Sequence, residues 1–265
     1  MNKQQVQQQF GDKASAYATS AVHAQGASLA RLVEMVAPRP EWDVLDVATA
    51  AGHTAHTLAP HVRAVVATDL THAMAAQAGA LAREKGMANV RVAQADAERL
   101  PFPAARFDLV TCRIAAHHFP DIDRFLAEAA RVLRPGGLLA VVDNIVPGSK
   151  LRGKKGRVQR QAGRYVNSFE RLRDPSHRRC LSIHGWRDAF YAAGFTIQHE
   201  EILAKELDFH SWAARMHVSP ADTVRLHAML RQAPREALEF LTPVFQGDKI
   251  TFTLSEALIV GKIRD

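Results

Sequence analysis

Short apolar, β-branched runs alternate along this chain with stretches whose apolar residues recur at helical spacing. Residues 44–47, 62–69, 90–96, 107–112 and 138–142 read as strands, and 195–203 and 250–260 as two more. A helix is predicted over 53–58, ending before Pro60, and another from an N-cap at Thr71 to about Lys85, with Gly86 just past its end. Asp121 caps a third that runs through Leu133 and is stopped by Pro135-Gly136-Gly137, and Ser182 caps a fourth that Gly194 stops. Residues 1 to about 40 also read as helical, with Leu29, Leu32, Val33 and Val36 on one face and Pro38 and Pro40 ending the pattern. Strand-helix alternation of this kind predicts βαβ units and a parallel sheet covered on both faces. The pattern breaks into irregular helical segments at about 147–181 and 205–248. The expected organisation is an N-terminal helical cap, 1–40, and a domain, 41–265, carrying those two segments as insertions that form a lid.

Sheets of this type bind ligands beyond the carboxyl ends of their strands. Asp46 lies within the first strand, which leads into Ala48-Thr49-Ala50-Ala51-Gly52, then His53 and Thr54. Small residues at a strand-to-helix turn allow backbone to approach a ligand, although a tight turn that binds nothing has the same composition. Asp69 ends the second strand 23 residues after Asp46, a workable distance for a carboxylate that accepts from two ribose hydroxyls. Asp96, followed by small Ala97, could accept from the exocyclic amine of adenine; either acid could equally be a turn former. A dinucleotide is disfavoured, since the turn lacks G-x-G-x-x-G.

Composition narrows the setting. The chain has 265 residues, 47% hydrophobic and 23% charged, enough for one large α/β domain with elaborations. Its net charge of +7 is local: residues 150–179 hold eleven Lys/Arg against Glu170 and Asp174, a net +9 that leaves −2 for the rest. That segment could meet nucleic acid, an anionic small substrate or a membrane surface, or be a solvated mobile lid, which is the expected reading because only Tyr165 and Phe169 could stack on bases. No apolar run reaches the roughly 18 residues of a membrane span, and the polar opening residues lack the apolar core of a signal peptide. Cys112 and Cys180 give neither a disulfide framework nor metal-ligand spacing, and the histidines are scattered, so a cytoplasmic protein without a bound metal is expected.

Four blocks carry a family resemblance. They are Val44-Leu45-Asp46-Val47-Ala48 through Gly52; Ala67-Thr68-Asp69-Leu70 with Met74; Ala95-Asp96-Ala97-Glu98-Arg99-Leu100-Pro101-Phe102; and Phe107-Asp108-Leu109-Val110-Thr111-Cys112-Arg113 through His117-His118-Phe119, continued by Leu133-Arg134-Pro135-Gly136-Gly137. In their order and spacing the chain resembles class I S-adenosylmethionine-dependent methyltransferases, of the type 11 family similar to ubiquinone/menaquinone-biosynthesis methyltransferases. The resemblance implies a doubly wound, Rossmann-like, seven-stranded and mostly parallel sheet with the last strand antiparallel. It implies S-adenosyl-L-methionine as cofactor, S-adenosyl-L-homocysteine as product, and a small-molecule methyl acceptor. The turn from Asp46 through Ala48, Thr49, Ala50, Gly52, His53 and Thr54 would cradle the methionine end. Asp69 would hold the ribose, Leu70 and Met74 would pack on adenine, Asp96 and Ala97 would meet its amine, and Arg113 would lie near the methionine carboxylate or the methyl. Tyr17 and His23 resemble positions that close over the cofactor. Relatives carry glycine at positions 48 and 50, where this chain has alanine; alanine is tolerable there if φ is negative. His117 and His118 follow the fourth strand and are the candidates for a catalytic base, His117 ahead. The expected function is methyl transfer to a small, partly apolar C, O or N nucleophile. An RNA methyltransferase using the basic segment, or a non-catalytic fold that binds the cofactor, are the alternatives.

Overall fold

The structure is a computed structural model that describes Lys3, Gln7 and residues 27–264. In chain order it runs α1 (Ala27–Val36), β1 (Asp43–Val47), α2 (His53–Leu58), β2 (Ala64–Asp69), α3 (His72–Glu84), β3 (Val90–Gln94), β4 (Phe107–Arg113), α4 (Ile122–Val132), β5 (Leu133–Ile145) and α5 (Gly153–Arg173). It continues through α6 (Ile183–Ala192), β6 (Phe195–Asp208), α7 (Phe209–Ala214), α8 (Pro220–Arg231), α9 (Arg235–Leu241), β7 (Val244–Gln246) and β8 (Lys249–Ile263). The strand order is β3-β2-β1-β4-β5-β8-β6, with β7 pairing β8 off this path. The first five strands of that order are mutually parallel, and the C-terminal strands are antiparallel. The expected α/β sheet is therefore present, with β7 as a short eighth strand.

The chain forms two compact units: residues 1–143, 189–201 and 258–265 make unit 1, and 144–188 and 202–257 make unit 2. The expected insertions, 147–181 and 205–248, lie within the bounds of unit 2. In unit 1 the apolar runs become buried strands: all five residues of β1 are buried, and Val44, Val65, Ala67, Leu109, Ala140 and Val142 pack with Leu32, Ala55 and Leu58 of α1 and α2. The sheet's N-terminal edge is fixed by charge. Asp43 accepts from Arg63, at 3.0 Å from Nε, and from Arg106 and Arg134, and Asp108 accepts from the Asp43 N–H at 2.8 Å and from Arg134. Burial opposes ionisation of Asp43, but the three guanidinium groups outweigh it and hold the pKa at about 2.

Asp121 caps α4 as expected, accepting from the Arg124 N–H at 3.0 Å. The boundary after α4 differs. The stretch Arg134 to Gly137 does not separate helix from strand; β5 begins at Leu133, directly after α4. Phe107 pairs with Leu133 while Leu109 pairs with Leu138, so the extra residues bulge within the strand, where Gly136 takes φ +73°.

In unit 2 the long basic helix α5 is packed along one side. Ala162, Val166 and Phe169 join Trp212, Leu226, Leu230 and Phe252 in a second core, with Phe169 stacked on Trp212 at 4.9 Å between centroids. Close approach of the chain needs Gly163, since a Cβ there would lie 2.1 Å from the Pro147 carbonyl oxygen.

Candidate active site

The candidate residues of unit 1 gather along the carboxyl ends of β3, β2, β1, β4 and β5, where hydrogen bonds link one strand end to the next. The Ala95 N–H donates to the Asp69 carbonyl at 2.9 Å, joining the ends of β3 and β2. Asp69, buried at the last position of β2, receives the Ala50 N–H on Oδ2 at 3.0 Å and the Thr71 N–H on Oδ1 at 2.8 Å. Thr49 donates its N–H to the Thr68 carbonyl at 2.8 Å, so the turn after β1 is held against β2 twice. Across to β4, Arg113 Nε donates to Thr54 Oγ1 at 3.1 Å, and Thr111 Oγ1 donates to Asp46 Oδ1 at 2.7 Å. At the β4–β5 edge the Ile114 N–H reaches the Val142 carbonyl at 2.7 Å, and His117 Nδ1 lies 2.6 Å from Asp143 Oδ1.

The turn itself is shaped by two residues in an unusual conformation. Ala48 has φ +53° and Ala50 φ +48°, both left-handed. The negative φ under which alanine would be tolerated is thus absent, and each position costs about 1–2 kcal/mol relative to glycine's freedom there. Gly52, at φ +88°, cannot be replaced so readily: a Cβ would stand 2.6 Å from His56 Cε1 and 2.7 Å from Nε2. The buried His56 ring packs beneath it with Nε2 3.1 Å from the Ala78 carbonyl, and burial lowers its pKa.

Asp46 organises the turn from below. Its carboxylate is 1% exposed and accepts from Thr49 Oγ1 at 2.5 Å as well as from Thr111. Burial pushes its pKa up to about 6, against the pull of the two hydroxyls and of Arg113. Burial likewise raises Asp69 above the ordinary carboxylate range, although two backbone N–H groups favour its charged form. Cys112 is fully buried, its thiol pushed up by burial and by Asp143, in keeping with a small hydrophobe.

The adenine-side candidates are more varied in placement. Met74 is 1% exposed within α3, and Ala97 is buried. The Leu70 carbonyl accepts from Gln94 Nε2 at 2.8 Å and from Gln7 Nε2 at 3.0 Å. Asp96 receives the Glu98 N–H on Oδ1 at 3.0 Å, and Lys3 Nζ lies 2.5 Å from its Oδ2 and 2.7 Å from Glu98 Oε2. Lys3 and Gln7, one helical turn apart, thus reach the loops after β3 and β2, a placement with no signal in the sequence. Tyr17 and His23 lie outside the described residues. Among the described residues no three His, Cys, Asp or Glu side chains are grouped to hold a metal ion.

Comparison with known proteins places this geometry. Residues 45–141, which contain the whole row of strand ends up to β5, match the family model described as a methyltransferase domain. The methyltransferase YcgJ of Bacillus subtilis is 35% identical over 255 residues, covering 95% of this chain and 96% of its own. This chain belongs to the type 11 family of class I S-adenosylmethionine-dependent methyltransferases. The crystal structure of YcgJ superposes on this methyltransferase with a TM-score of 0.82 over 90% of this chain and 98% of that one, at 34% identity. The nocamycin O-methyltransferase of Saccharothrix syringae is 29% identical over 88% of this chain and 90% of its own. The demethylmenaquinone methyltransferase of Deinococcus radiodurans is 42% identical over 42% of this chain and 46% of its own.

Along the row of strand ends, sequence reasoning missed Thr111, His56 and Asp143. Asp143 had a usable signal: it directly follows the run predicted as the fifth strand, the same position that singled out Asp69 and Asp96. His117 and His118 stand in a 3-10 turn, Ala116–His118, with ring centroids 4.1 Å apart, and His117 faces the Asp143 carboxylate.

Proposed function

We propose that this enzyme transfers the methyl group of S-adenosyl-L-methionine to a small, partly apolar acceptor with an ionisable O–H, N–H or activated C–H, and that His117 takes the acceptor's proton. The observation that carries the reading is the pairing of His117 Nδ1 with buried Asp143 Oδ1 at 2.6 Å, beside the end of β4. A carboxylate on Nδ1 fixes the tautomer that leaves Nε2 as the proton acceptor and stabilises the imidazolium that results.

The residues present fit the cofactor. Each Asp69 oxygen holds one backbone N–H, and the Thr71 hydroxyl reaches the carboxylate as well; once that hydroxyl turns away, two acceptor sites serve vicinal ribose hydroxyls without releasing the turn. Asp96 keeps acceptor capacity beside Lys3 for the adenine amine, and Arg113 supplies positive charge for the methionine carboxylate. Asp46 acts through Thr49 and Thr111, because its buried carboxylate already serves both. When bound, the cofactor supplies an electrophilic methyl on a sulfonium; the protein's part is alignment and removal of one proton. An O-methyltransferase among the relatives supports an acceptor that carries an ionisable O–H.

Methyl transfer from isotopically labelled S-adenosylmethionine to a panel of phenols, enolisable diketones and secondary amines tests the reading. Labelled product is expected from the acidic phenols or enols, at a rate that falls when His117 is replaced by Ala. Transfer that is confined to acceptors without an ionisable proton, or that ignores His117, contradicts it.

A further inference from the structure

Unit 2 carries a run of exposed cations remote in sequence from the strand-end residues. Lys150, Arg152, Lys154, Lys155 and Arg157 are all exposed, and the outward side of α5 continues the row at Arg164 and Arg171. The sole acid between 150 and 173 is Glu170, which is buried. Lys150 is paired with Asp188 at 2.5 Å on the surface.

Helix stability does not account for this arrangement. No acid stands in the first turn of α5, and cations there oppose the helix dipole while Lys154 and Arg157 repel at i,i+3. Some guanidinium groups are engaged with the chain: Arg160 Nη1 donates to the carbonyls of Ser149 and Leu151 at 3.0 Å, Arg171 to those of His177 and Arg178, and Arg173 Nε to that of Trp212. Among the described residues the cations of 152–157 have no such use. Among them stands Leu151, 63% exposed.

The aromatic residues decide between kinds of polyanion. Tyr165 donates its hydroxyl to the Met229 carbonyl at 2.9 Å, and Phe169 is fully buried against Trp212. Neither is presented for stacking on a base, the contact by which proteins hold single-stranded nucleic acid. A row of cations with an exposed leucine at its end instead matches a flat anionic surface that has an apolar interior.

We propose that residues 150–157 and the outward face of α5 bind the surface of an anionic phospholipid bilayer. Lipid phosphates pair with Arg152, Lys154, Lys155 and Arg157, and Leu151 enters the interface. Each cation near such a surface is worth about a fivefold gain in partition, so these four make an otherwise weak association measurable at ~0.1 M salt.

Co-sedimentation of the full-length protein with vesicles tests this, using phosphatidylcholine alone and phosphatidylcholine with roughly one-third phosphatidylglycerol. Binding to the anionic vesicles only is expected, falling at least tenfold when salt rises to ~0.5 M. The triple variant Lys154→Gln, Lys155→Gln, Arg157→Gln should partition about 100-fold more weakly, and Leu151→Gln about tenfold. Both should keep the wild-type melting curve and the wild-type calorimetric titration with S-adenosylhomocysteine, which separates this surface from the strand-end site. Equal binding to neutral vesicles, no binding to anionic ones, or an unaffected triple variant overturns the proposal. So does tighter binding to single-stranded or duplex RNA at the same salt, or release from anionic vesicles by millimolar inorganic phosphate at constant ionic strength.

Discussion

The Ala50 N–H donates to Asp69 Oδ2 at 3.0 Å, so the carboxylate proposed to meet a ribose also fastens the turn after β1 to the end of β2. Thr71 N–H holds the other oxygen at 2.8 Å. Removing the side chain strands two backbone donors in a buried setting. Asp69→Ala is expected to lose about 2–4 kcal/mol of stability in denaturant unfolding, with Asp69→Asn recovering part of it through its one remaining acceptor oxygen.

The turn's alanines make a second expectation. Left-handed φ at Ala48 and Ala50 costs about 1–2 kcal/mol each, whereas glycine's greater freedom in the unfolded chain costs about 0.4–1. The first effect is larger. Ala48→Gly and Ala50→Gly should each raise stability by about 0.5–1 kcal/mol, read as a shift in the urea midpoint at unchanged slope. A loss of stability in both would mean that surrounding packing of the methyl groups outweighs the backbone strain.

The acids of β1 titrate in opposite senses. The pKa of buried Asp46 is raised to about 6, so the folded chain holds its proton to higher pH than the unfolded chain does. Its effect on stability is most favourable below about pH 4, declines through about pH 6 and is constant above, a span of up to about 3 kcal/mol. Asp43, held at about 2 by its arginines, contributes stability that is present above about pH 4 and lost as pH falls toward 2. Asp46→Asn should flatten the slope between pH 4 and 6, since the hydroxyls of Thr49 and Thr111 can turn to suit an amide. Unfolding curves across that range check it.

At the β4–β5 edge the pair His117 and Asp143 predicts an unequal pair of kinetic defects. His117→Ala should lower kcat by about 100-fold or more. Asp143→Asn should lower kcat less, as His117 keeps its place but loses the carboxylate on Nδ1. Cofactor affinity should stay within about twofold in both. Equal activity in His117→Ala and wild type at every pH would remove His117 from the chemistry.

Most of the sheet was legible because buried parallel strands write themselves as apolar runs, which an acid interrupts at or near the carboxyl end. Asp69 and Asp96 were singled out in that way, and Asp143 could have been. Other features have no local signature. The φ of Ala48 and Ala50 is imposed by the bonds from Thr49 and Ala50 to β2, which sequence spacing does not display. Thr111 sits in an apolar run and gives no sign that its hydroxyl turns to Asp46. The β5 bulge was misplaced because Pro135-Gly136-Gly137 reads as a stop when the partner strand is unknown. The basic segment was expected to be a mobile lid because its charge obscures the face of α5 that packs through Val166 and Phe169.

Calorimetric titration of S-adenosylhomocysteine into the wild-type protein and into Asp69→Asn tests the central claim, that the carboxyl ends of β3, β2, β1 and β4 hold the cofactor. The account predicts saturable one-to-one binding to wild type, weakened about tenfold, or about 1.4 kcal/mol, in Asp69→Asn. No heat of binding to wild type at millimolar ligand, or equal affinity in the two proteins, would contradict it.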